Sequence, residues 1–597
     1  MQALKKFFYT YRQVLALTYK ISPRLLTLVT ISNSIWGLTN LPILYINKML
    51  IDTVIQNLGK QDLSDPLKII ALLAFSRALL EFIRSSLSSL NWSLSASLTD
   101  RIQFGLESIT TQKLSSLDIP TVESAEFQNR FKKVERMGNN SVWGMINPLS
   151  DIPNAIFTII SGIIPIFSFE PWLALLVIAV SIPDIFINSR VVKKDYQEGE
   201  ILNPKYRLWH WISWHLIDSK NYYENRILGI TKYLLDKMSG VVSEVNDFKY
   251  QRRINRAKLR FLGDIPGFFL SVGLNIYFFT IALLGRVTLG TAQLLYGATN
   301  TLTNGFATLV NDGLGIYENY LFVNDLTWFL ELKSENPGGN RLPPVGIKKG
   351  IEFRNVWFKY PNSKKWVLKD ISFIIKPKEN VALVGENGAG KTTLIKLLCG
   401  FYRPEKGEIL VDNVNIKELD TLRYWNTLGV LFQDFSHYPF TAKEAIGIGN
   451  PRKINDLESI KMAAKLTGVD KYIEGLTLGY KTPLVKDFDG GVDPSRGQWQ
   501  RLALARIIFR GSKIVILDEP TSNVDPKAEE MIFDKIIDLS SEKILILISH
   551  RFNTVRKANK ILNISEGRII EQGTHEELMK KHGEYASLFE LQAKGYQ

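Results

Sequence analysis

The 597-residue chain has one cysteine and only six histidines, and both shortages restrict its chemistry. A single cysteine excludes an intramolecular disulfide and a CxxC metal site. Cys399, in the stretch LIKLLCG, is predicted to be a buried packing residue. His210 and His215 are five residues apart, which is not the i,i+4 spacing that puts two ligands on one helix face. No histidine metal site is therefore predicted.

The chain also lacks a nucleic-acid-binding motif, although its formal net charge is +14. In a membrane protein such an excess follows from Lys and Arg in cytoplasmic loops. The sequence therefore favours a membrane protein and predicts no nucleic-acid partner. The basic, aromatic and acid-free start, MQALKKFFYTYRQVLALTYK, predicts an amphipathic helix on the cytoplasmic membrane surface, not a signal peptide. A mitochondrial transit peptide is the alternative.

Long apolar runs are confined to the first part of the chain. A bilayer-spanning helix needs about 20 mostly apolar residues. Six segments meet this length: 23–47, 66–98, 146–168, 170–192, 265–286 and 291–323. Their even number and basic connections predict a multi-pass protein of the plasma or inner membrane with a cytoplasmic N-terminus and C-terminal domain.

A Pro/Gly-rich break, SENPGGNRLPPVG, separates two kinds of pattern. Predicted domains are a transmembrane domain over 1–333, a linker over 334–349 and a nucleotide-binding domain over 350–597. The second domain contains the strand-like runs ENVALVG, KIVILDEP and KILILISH, with helical stretches between the later ones. This alternation is typical of a parallel α/β sheet.

GENGAGKTT, residues 385–393, lies between a predicted strand and an apolar helix, the context that a P-loop requires. Its glycines 385, 388 and 390 allow backbone N–H groups to close around phosphate oxygens. Lys391 is predicted to reach the outer phosphates, and Thr392 to offer its hydroxyl to Mg²⁺. The strand IVILDEP then delivers Asp518, suited to the magnesium shell, and Glu519, suited to orienting or deprotonating water.

With these motifs the chain resembles the ATP-binding cassette (ABC) family. The resemblance assigns the whole P-loop, including Gly385, Asn387, Gly388, Gly390 and Thr393, to ATP binding. It also implies that Tyr360 in WFKYP stacks on adenine, that Gln433 in VLFQDF senses Mg²⁺ and that His550 in LISHR contacts the γ-phosphate. Asp525 lies in SNVD, which matches the family's D-loop. ATP and Mg²⁺ are the implied cofactors.

Six spans before one cassette resemble a half-size ABC exporter with swapped helix hairpins. The implied fold is an all-α six-helix transmembrane domain with long cytoplasmic helical extensions, followed by an α/β P-loop NTPase. Residues 124–131 and 221–229 occupy the positions of the family's coupling helices. Because the chain has one P-loop, the resemblance implies a dimer, with a homodimer favoured over a heterodimer with a second half-transporter.

The family signature LSGGQ is replaced here by PSRGQ. In the family this sequence covers the ATP held by the opposite cassette. Ser495, Gly497 and Gln498 are retained, whereas Pro494 and Arg496 depart from the pattern. We interpret the variant as a working, slower site. The alternative is a degenerate site that needs a partner with an intact signature.

Polar residues recur inside the predicted spans. Asparagines 33, 40 and 47 follow at seven-residue spacing, and asparagines 300, 304 and 311 share a face of the last span. Interhelical hydrogen bonding and a polar translocation path are equally good interpretations. Arg77, Glu81 and Arg84 favour a structural ion-pair cluster over a substrate site.

Two functions remain open. The first is an ATP-driven exporter or flippase for an amphipathic lipid, glycolipid, peptide or drug-like molecule, with membrane lipid as its surroundings. The second is a membrane-embedded ATPase that acts as a regulatory or channel-like subunit.

Overall fold

The computed structural model describes the backbone of residues 2–334, 338–520, 534–535, 537, 542–549 and 551–594. The chain divides into two compact units. The helical unit comprises residues 1–115 and 126–332, and the cassette unit comprises residues 116–125 and 333–597. The sequence boundary near residue 333 is close to this division, but residues 116–125 belong to the cassette unit.

The helical unit is all α. Its helices are α1 (Gln2–Ile21), α2 (Pro23–Leu38), α3 (Asn40–Gln56), α4 (Ser64–Ser115), α6 (Ala125–Phe169), α7 (Pro171–Ile217), α8 (Tyr222–Ile227), α9 (Thr231–Leu283) and α10 (Leu289–Glu331). A further short helix, α5 (Ile119–Glu123), lies in the segment that belongs to the cassette unit. Each predicted span falls on these helices, and the first of them covers both α2 and α3.

Not all of these helices are equally apolar. Among the described residues, Val142–Phe169 and Thr231–Leu283 are long and apolar enough to cross a membrane. Phe8–Ile21 and Pro23–Gln56, bent by 110° at their junction, give a third if they are counted as one span. The predicted spans 66–98 and 291–323 are interrupted by charged, Ser, Thr and Asn residues, which lowers their mean hydropathy. The bounds of the six crossings stay a prediction.

The first asparagine of the predicted stripe joins three helices. Asn33, on α2, is buried, and its Nδ2 donates to the Ser150 carbonyl at 2.9 Å and to Asp151 Oδ1 at 2.8 Å. Its Oδ1 accepts from Asn91 Nδ2, on α4, at 2.8 Å. Asn33 therefore has the interhelical bonding role.

The second asparagine has a similar role, and the third differs. Asn40 Nδ2 donates to Thr158 Oγ1, on α6, at 3.1 Å. The buried Oδ1 of Asn47 has no hydrogen-bond partner within the described part of the chain. Asn33 and Asn40 thus bond other helices, while a polar translocation path stays a prediction for Asn47 and for the asparagines of the last span.

Two of the three charged residues in the predicted cluster on α4 form an ion pair. Arg77 Nε lies 3.1 Å from Glu81 Oε1, one helical turn away. Arg84 instead places its guanidinium over the Trp36 ring of α2, 4.0 Å from the centroid. The structural interpretation of this cluster is supported, with a cation–π contact in place of the second ion pair.

The two predicted coupling segments have different outcomes. Residues 221–229 contain the short helix α8, as predicted. Residues 124–131 instead begin the long helix α6, and the separate short helix is α5, just before them. Ser124, extended at φ −66° and ψ 140°, ends α5.

The cassette unit contains two sheets. Its strands are β1 (Ile351–Phe358), β2 (Leu368–Ile375), β3 (Asn380–Val384), β4 (Lys406–Val411), β5 (Val414–Asn415), β6 (Leu428–Leu431), β7 (Ile514–Asp518), β8 (Ile544–Ile548), β9 (Lys560–Ser565) and β10 (Arg568–Gly573). One sheet is antiparallel, in the order β2-β1-β4-β5, and the other has the order β10-β9-β3-β8-β7-β6. In the second sheet every strand except β10 pairs in parallel, as predicted.

The helices of the cassette unit connect and cover these strands. They are α11 (Lys391–Leu398), α12 (Thr421–Trp425), α13 (Ala442–Gly447), α14 (Leu457–Thr467), α15 (Asp470–Glu474) and α16 (Arg496–Arg510), with Phe552–Val555, His575–Lys580 and Glu584–Lys594 near the end. The strands β3 and β8 are almost entirely buried, which explains their uninterrupted apolar sequences. Because β3, β6 and β7 are parallel, the segments that follow them emerge at one edge of the sheet. That edge carries the candidate site.

Candidate ATP-binding and hydrolysis site

The P-loop leaves β3 and enters α11 through left-handed glycines. Gly388 and Gly390 have φ of 83° and 108°, and Gly385 has φ of 140°. A Cβ atom on Gly385 would lie 2.0 Å from the Ile564 carbonyl oxygen, so no larger residue fits there. Its glycines therefore give the loop the turn that lets backbone N–H groups surround a phosphate at the N-terminus of α11.

Lys391 is the first residue of α11 and is buried. Its Nζ donates to the carbonyl oxygens of Gly385 and Glu386 at 2.7 and 2.8 Å. Burial lowers the pKa of Lys391, and the carboxylates of Asp518 and Glu519 oppose that shift. The ammonium group thus lies inside the loop, where a phosphate would be its natural counter-charge.

Thr392 and Asp518 meet across the site. Thr392 Oγ1 donates to Asp518 Oδ2 at 3.1 Å, and Asp518 ends β7 with its side chain buried. Burial raises the pKa of Asp518, as do Glu519 and Asp434, while the bond from Thr392 and the charge of Lys391 lower it. A hydroxyl beside a carboxylate is an oxygen donor set of the kind that Mg²⁺ prefers.

Glu519 is held in a strained backbone conformation. Its φ is 47°, in the left-handed region that costs a non-glycine residue energy. Its N–H donates to the Ile548 carbonyl at 3.0 Å, and its own carbonyl accepts from Gln500 Nε2 at 3.1 Å. Gln433 Nε2 donates to Glu519 Oε2 at 3.3 Å. The surrounding chain therefore fixes the direction of this carboxylate.

Tyr360 is attached to the P-loop helix. Its hydroxyl lies 3.0 Å from Thr393 Oγ1. Its ring packs edge-on against Phe358 and Tyr402, with centroids 5.1 and 5.2 Å away. A fixed aromatic ring beside the P-loop is what a stacking partner for a nucleotide base needs.

The signature residues form a helix cap. The Ser495 hydroxyl accepts from the Gln498 N–H at 3.4 Å, and Gln498 Oε1 accepts from the Ser495 N–H at 2.7 Å. This capping box begins α16, and Arg496, its first residue, is exposed. In the part of the chain that the structure describes, Ser495, Gly497 and Gln498 make no hydrogen bond to the P-loop.

The structure thus brings together most of the predicted site. The P-loop, Gln433, Asp518 and Glu519 lie at one edge of the parallel sheet, and the exposed Asn387 lies in the loop. Tyr360 comes just after β1 of the antiparallel sheet and reaches this site through its contact with Thr393. The set fits Mg²⁺-ATP: a glycine cradle, a buried lysine, a hydroxyl–carboxylate pair and an aromatic ring. Asp525 and His550 lie outside the described residues.

Three residues near this site were not predicted from the sequence. Gln500 bonds the Glu519 carbonyl, and Lys396 and Tyr402 approach the Tyr360 ring. Gln500 and Lys396 could have been found, because they follow the signature and the P-loop within their own helices. Tyr402 lies after the end of α11 and belongs to no recognised motif, so no sequence pattern pointed to it.

A P-loop, a strand that ends in Asp-Glu and a tyrosine ring beside the P-loop are the parts of an ATP-hydrolysing cassette, here in one chain with an all-α unit. The ABC transporter family matches residues 368–522. The subtilin transport ATP-binding protein SpaT of Bacillus subtilis is 32% identical over 473 residues, 79% of this chain and 76% of that protein. The chain belongs to the ABC transporter family.

A second relative and a solved structure match nearly the whole chain. The nisin transport ATP-binding protein NisT of Lactococcus lactis is 26% identical over 596 residues, 98% of this chain and 97% of that protein. A bacterial Atm1-family ABC exporter with ATP bound matches with a TM-score of 0.83 at 21% identity, over 96% of this chain and 99% of that one. The fold is that of a half-size ABC exporter, and the chain is an ATP-hydrolysing membrane transporter.

Proposed function

We propose that two copies of this chain form an exporter that hydrolyses Mg²⁺-ATP and moves a peptide out of the cytoplasm. The observation that carries the choice of a peptide is the extent of the match to the subtilin and nisin transport proteins. NisT aligns with 98% of this chain, so the similarity includes the helical unit, where a cargo is bound. Among the cargo classes that the sequence left open, a peptide is the one these relatives support.

The site residues have distinct roles in hydrolysis. Lys391 neutralises phosphate charge, and Thr392 with Asp518 would hold Mg²⁺, whose bound charge stabilises the transferring phosphoryl group. Glu519, aimed by its strained backbone and by Gln433, orients the attacking water and accepts its proton. His550 and Asp525 keep the roles implied by the family resemblance.

The signature supports a dimer. Ser495 and Gln498 cap α16, and the described residues show no hydrogen bond from this segment to the P-loop of the same chain. The exposed N-terminus of α16 is then free to meet phosphate bound by a second copy. Each of two sites would contain one P-loop and the other copy's Ser495 and Gly497.

A groove on the cassette is a candidate binding surface for the second copy of the proposed dimer. Its cavity of about 580 Å³ is bordered by aromatic and basic side chains: Phe401, Trp425, Phe432, Tyr438, Arg506 and Arg510. The short helix α8 presents Tyr223 and Ile227 with 79% and 86% of their surface exposed. We assign this groove to α8 of the second copy, in keeping with the family's swapped hairpins.

Membrane topology follows the charge distribution. Six crossings within α2–α10 would leave α1 and the cassette in the cytoplasm, with the basic connections on the same side. The inner or plasma membrane is the proposed location.

The proposal is tested with sealed inside-out vesicles that contain the full chain. Fluorescently labelled nisin is the peptide probe, and a headgroup-labelled phospholipid is the comparison. We expect ATP-dependent uptake of the peptide, a cross-linked species of twice the chain mass, and no uptake with Glu519→Gln. Uptake of the phospholipid alone would contradict a peptide cargo, and an active monomer would contradict the dimer.

A further inference from the structure

A glutamate far from the P-loop in sequence lies beside the base-stacking tyrosine. Glu123 ends the short helix α5. Its Oε2 accepts a short hydrogen bond from the Tyr402 hydroxyl, and its Oε1 lies 3.7 Å from Lys396 Nζ. The chemistry of hydrolysis uses none of these three side chains.

Both partners of Glu123 reach Tyr360. Lys396 Nζ lies 5.7 Å from the centroid of the Tyr360 ring and 5.8 Å from that of Tyr402. The two tyrosine rings meet edge to face, at 5.2 Å and 87°. One carboxylate therefore holds a cation and an aromatic ring that both contact Tyr360.

The contact is attached firmly on the cassette side. Tyr402 is 4% exposed, and burial, followed by its bond to Glu123, raises its pKa, so the hydroxyl stays protonated and donates. Ile119, at the other end of α5, packs against the cassette's main apolar core. Lys396 lies on α11, the helix that carries Lys391 and Thr393.

We propose that Glu123 is a positioning residue for the base of ATP: it holds Tyr402 and Lys396 against Tyr360, so that the position of residues 116–125 sets how tightly the base stacks. This inference rests on the proposed base-stacking role of Tyr360. It adds a residue that neither the P-loop motif nor the family resemblance assigned.

Glu123 lies in a short segment that connects two long helices. Residues 116–125 directly follow α4 and run into α6. Loss of the Glu123 contact would loosen Lys396 and Tyr402 against the Tyr360 ring, and by linkage ATP binding favours the conformation in which this contact is made.

The test separates base stacking from general support of the P-loop. Equilibrium binding is measured on the full chain with Glu519→Gln, which is expected to retain nucleotide without turnover. Two ligands are compared: ATP, and inorganic tripolyphosphate, which has the phosphates and no base. The test variants are Glu123→Gln, which removes the charge at similar shape, and Tyr402→Phe, which removes the donated hydrogen bond. Glu126→Gln is the matched control, because it changes an exposed acid three residues away.

Both test variants are expected to weaken ATP binding about three- to tenfold, the loss of one partly exposed cation–π and hydrogen-bond contact. Tripolyphosphate affinity and the Glu126→Gln control should stay at the parental value. Equal weakening of ATP and tripolyphosphate, or no weakening of either, would overturn the inference.

A double-mutant cycle with Tyr360→Leu gives a second readout. If Glu123 acts through the Tyr360 ring, Glu123→Gln should have no further effect on ATP affinity once the ring is absent. Additive losses would refute the inference. Failure of the parent chain to bind ATP at all would instead refute the proposed function, so the two outcomes are distinguishable.

Discussion

Two buried polar side chains, Asn33 in the helical unit and Asp518 in the cassette, have different surroundings. In the helical unit, the amide of Asn33 is bonded to Ser150, Asp151 and Asn91, on two other helices. In the cassette, buried Asp518 accepts a bond from Thr392 but is also repelled by neighbouring carboxylates. A buried polar group with all its hydrogen bonds made supports the fold. A buried carboxylate that is repelled by neighbouring carboxylates instead indicates a site where a positively charged ligand would bind.

This comparison predicts that the two units respond differently to substitution. Substitution of Asp518 in the cassette should abolish ATP hydrolysis without lowering the stability of the fold. Substitution of Asn33 in the helical unit should lower the stability of the fold and leave ATP hydrolysis unchanged.

The largest expected effect is that of Glu519→Gln. An amide cannot accept a proton from water, so ATP turnover should fall at least about 100-fold, as for loss of a general base. ATP binding should persist, because Lys391, Thr392 and the glycine loop are untouched. Steady-state ATPase assays and equilibrium binding on the same preparation measure both effects. Turnover at the parental rate would show that the base is misassigned.

Asp518→Asn should separate activity from stability. Burial raises the pKa of Asp518 above its unfolded value, so the folded protein binds that proton more tightly. The stability contributed by this group is thus greatest at low pH and is lost as the pH rises through the folded pKa. At pH 7 the ionised carboxylate costs stability, and the amide relieves that cost.

The measurement is thermal unfolding at pH 7 with and without Mg²⁺-ATP. Without nucleotide, Asp518→Asn should unfold at the same or a higher temperature than the parent. The stabilisation by Mg²⁺-ATP should shrink, because a magnesium ligand is missing. A clear destabilisation without nucleotide would mean that Asp518 is a structural residue, and the contrast between the units would fail.

Much of the cassette could be predicted from sequence because its motifs are local. The P-loop, the Asp-Glu pair and the strand pattern each occupy fewer than ten consecutive residues, and parallel strands bring their ends together. Gln433 and Glu519 come just after the parallel strands β6 and β7, whose ends lie at one edge of the sheet, whereas Tyr360 comes just after β1 of the antiparallel sheet. The capping box of Ser495 and Gln498 was not predicted, although the S-x-x-Q spacing in PSRGQ is its sequence pattern.

The contacts that could not be predicted join distant parts of the chain. Asn33 and Asp151 are 118 residues apart, and Glu123 and Tyr402 are 279 apart. Helix periodicity shows which face is polar but not which helix covers it. The first coupling helix was predicted at residues 124–131, whereas the short helix α5 ends at Glu123. The prediction was several residues too late because SAEFQNRF, which begins α6, has a stronger helical pattern than IPTVE.

A smaller effect is expected from Asn33→Val in the helical unit. The change removes three hydrogen bonds, and interhelical bonds in membranes contribute about 0.6 kcal/mol each, with a maximum near 1.7. Thermal unfolding in detergent should shift downward, while ATPase activity at low temperature stays near the parental rate. Asn304→Val, at an exposed position on α10, is the matched control and should not shift unfolding. Loss of turnover by Asn33→Val without destabilisation would give Asn33 a direct functional role.

The smallest effect is expected at Arg496, and it decides how the unusual signature works. Arg496 is exposed at the first position of α16, and the Ser495 cap forms without help from its side chain. If PSRGQ is a working variant, Arg496→Gly should change the ATPase rate of the purified chain less than about threefold. Ser495→Ala should cost more, because it removes a contact to charged phosphate of about 1.5–3 kcal/mol and a helix cap of about 1 kcal/mol. Near-zero activity of the parent chain, with strong rescue by Arg496→Gly, would instead indicate a degenerate site and a missing partner chain.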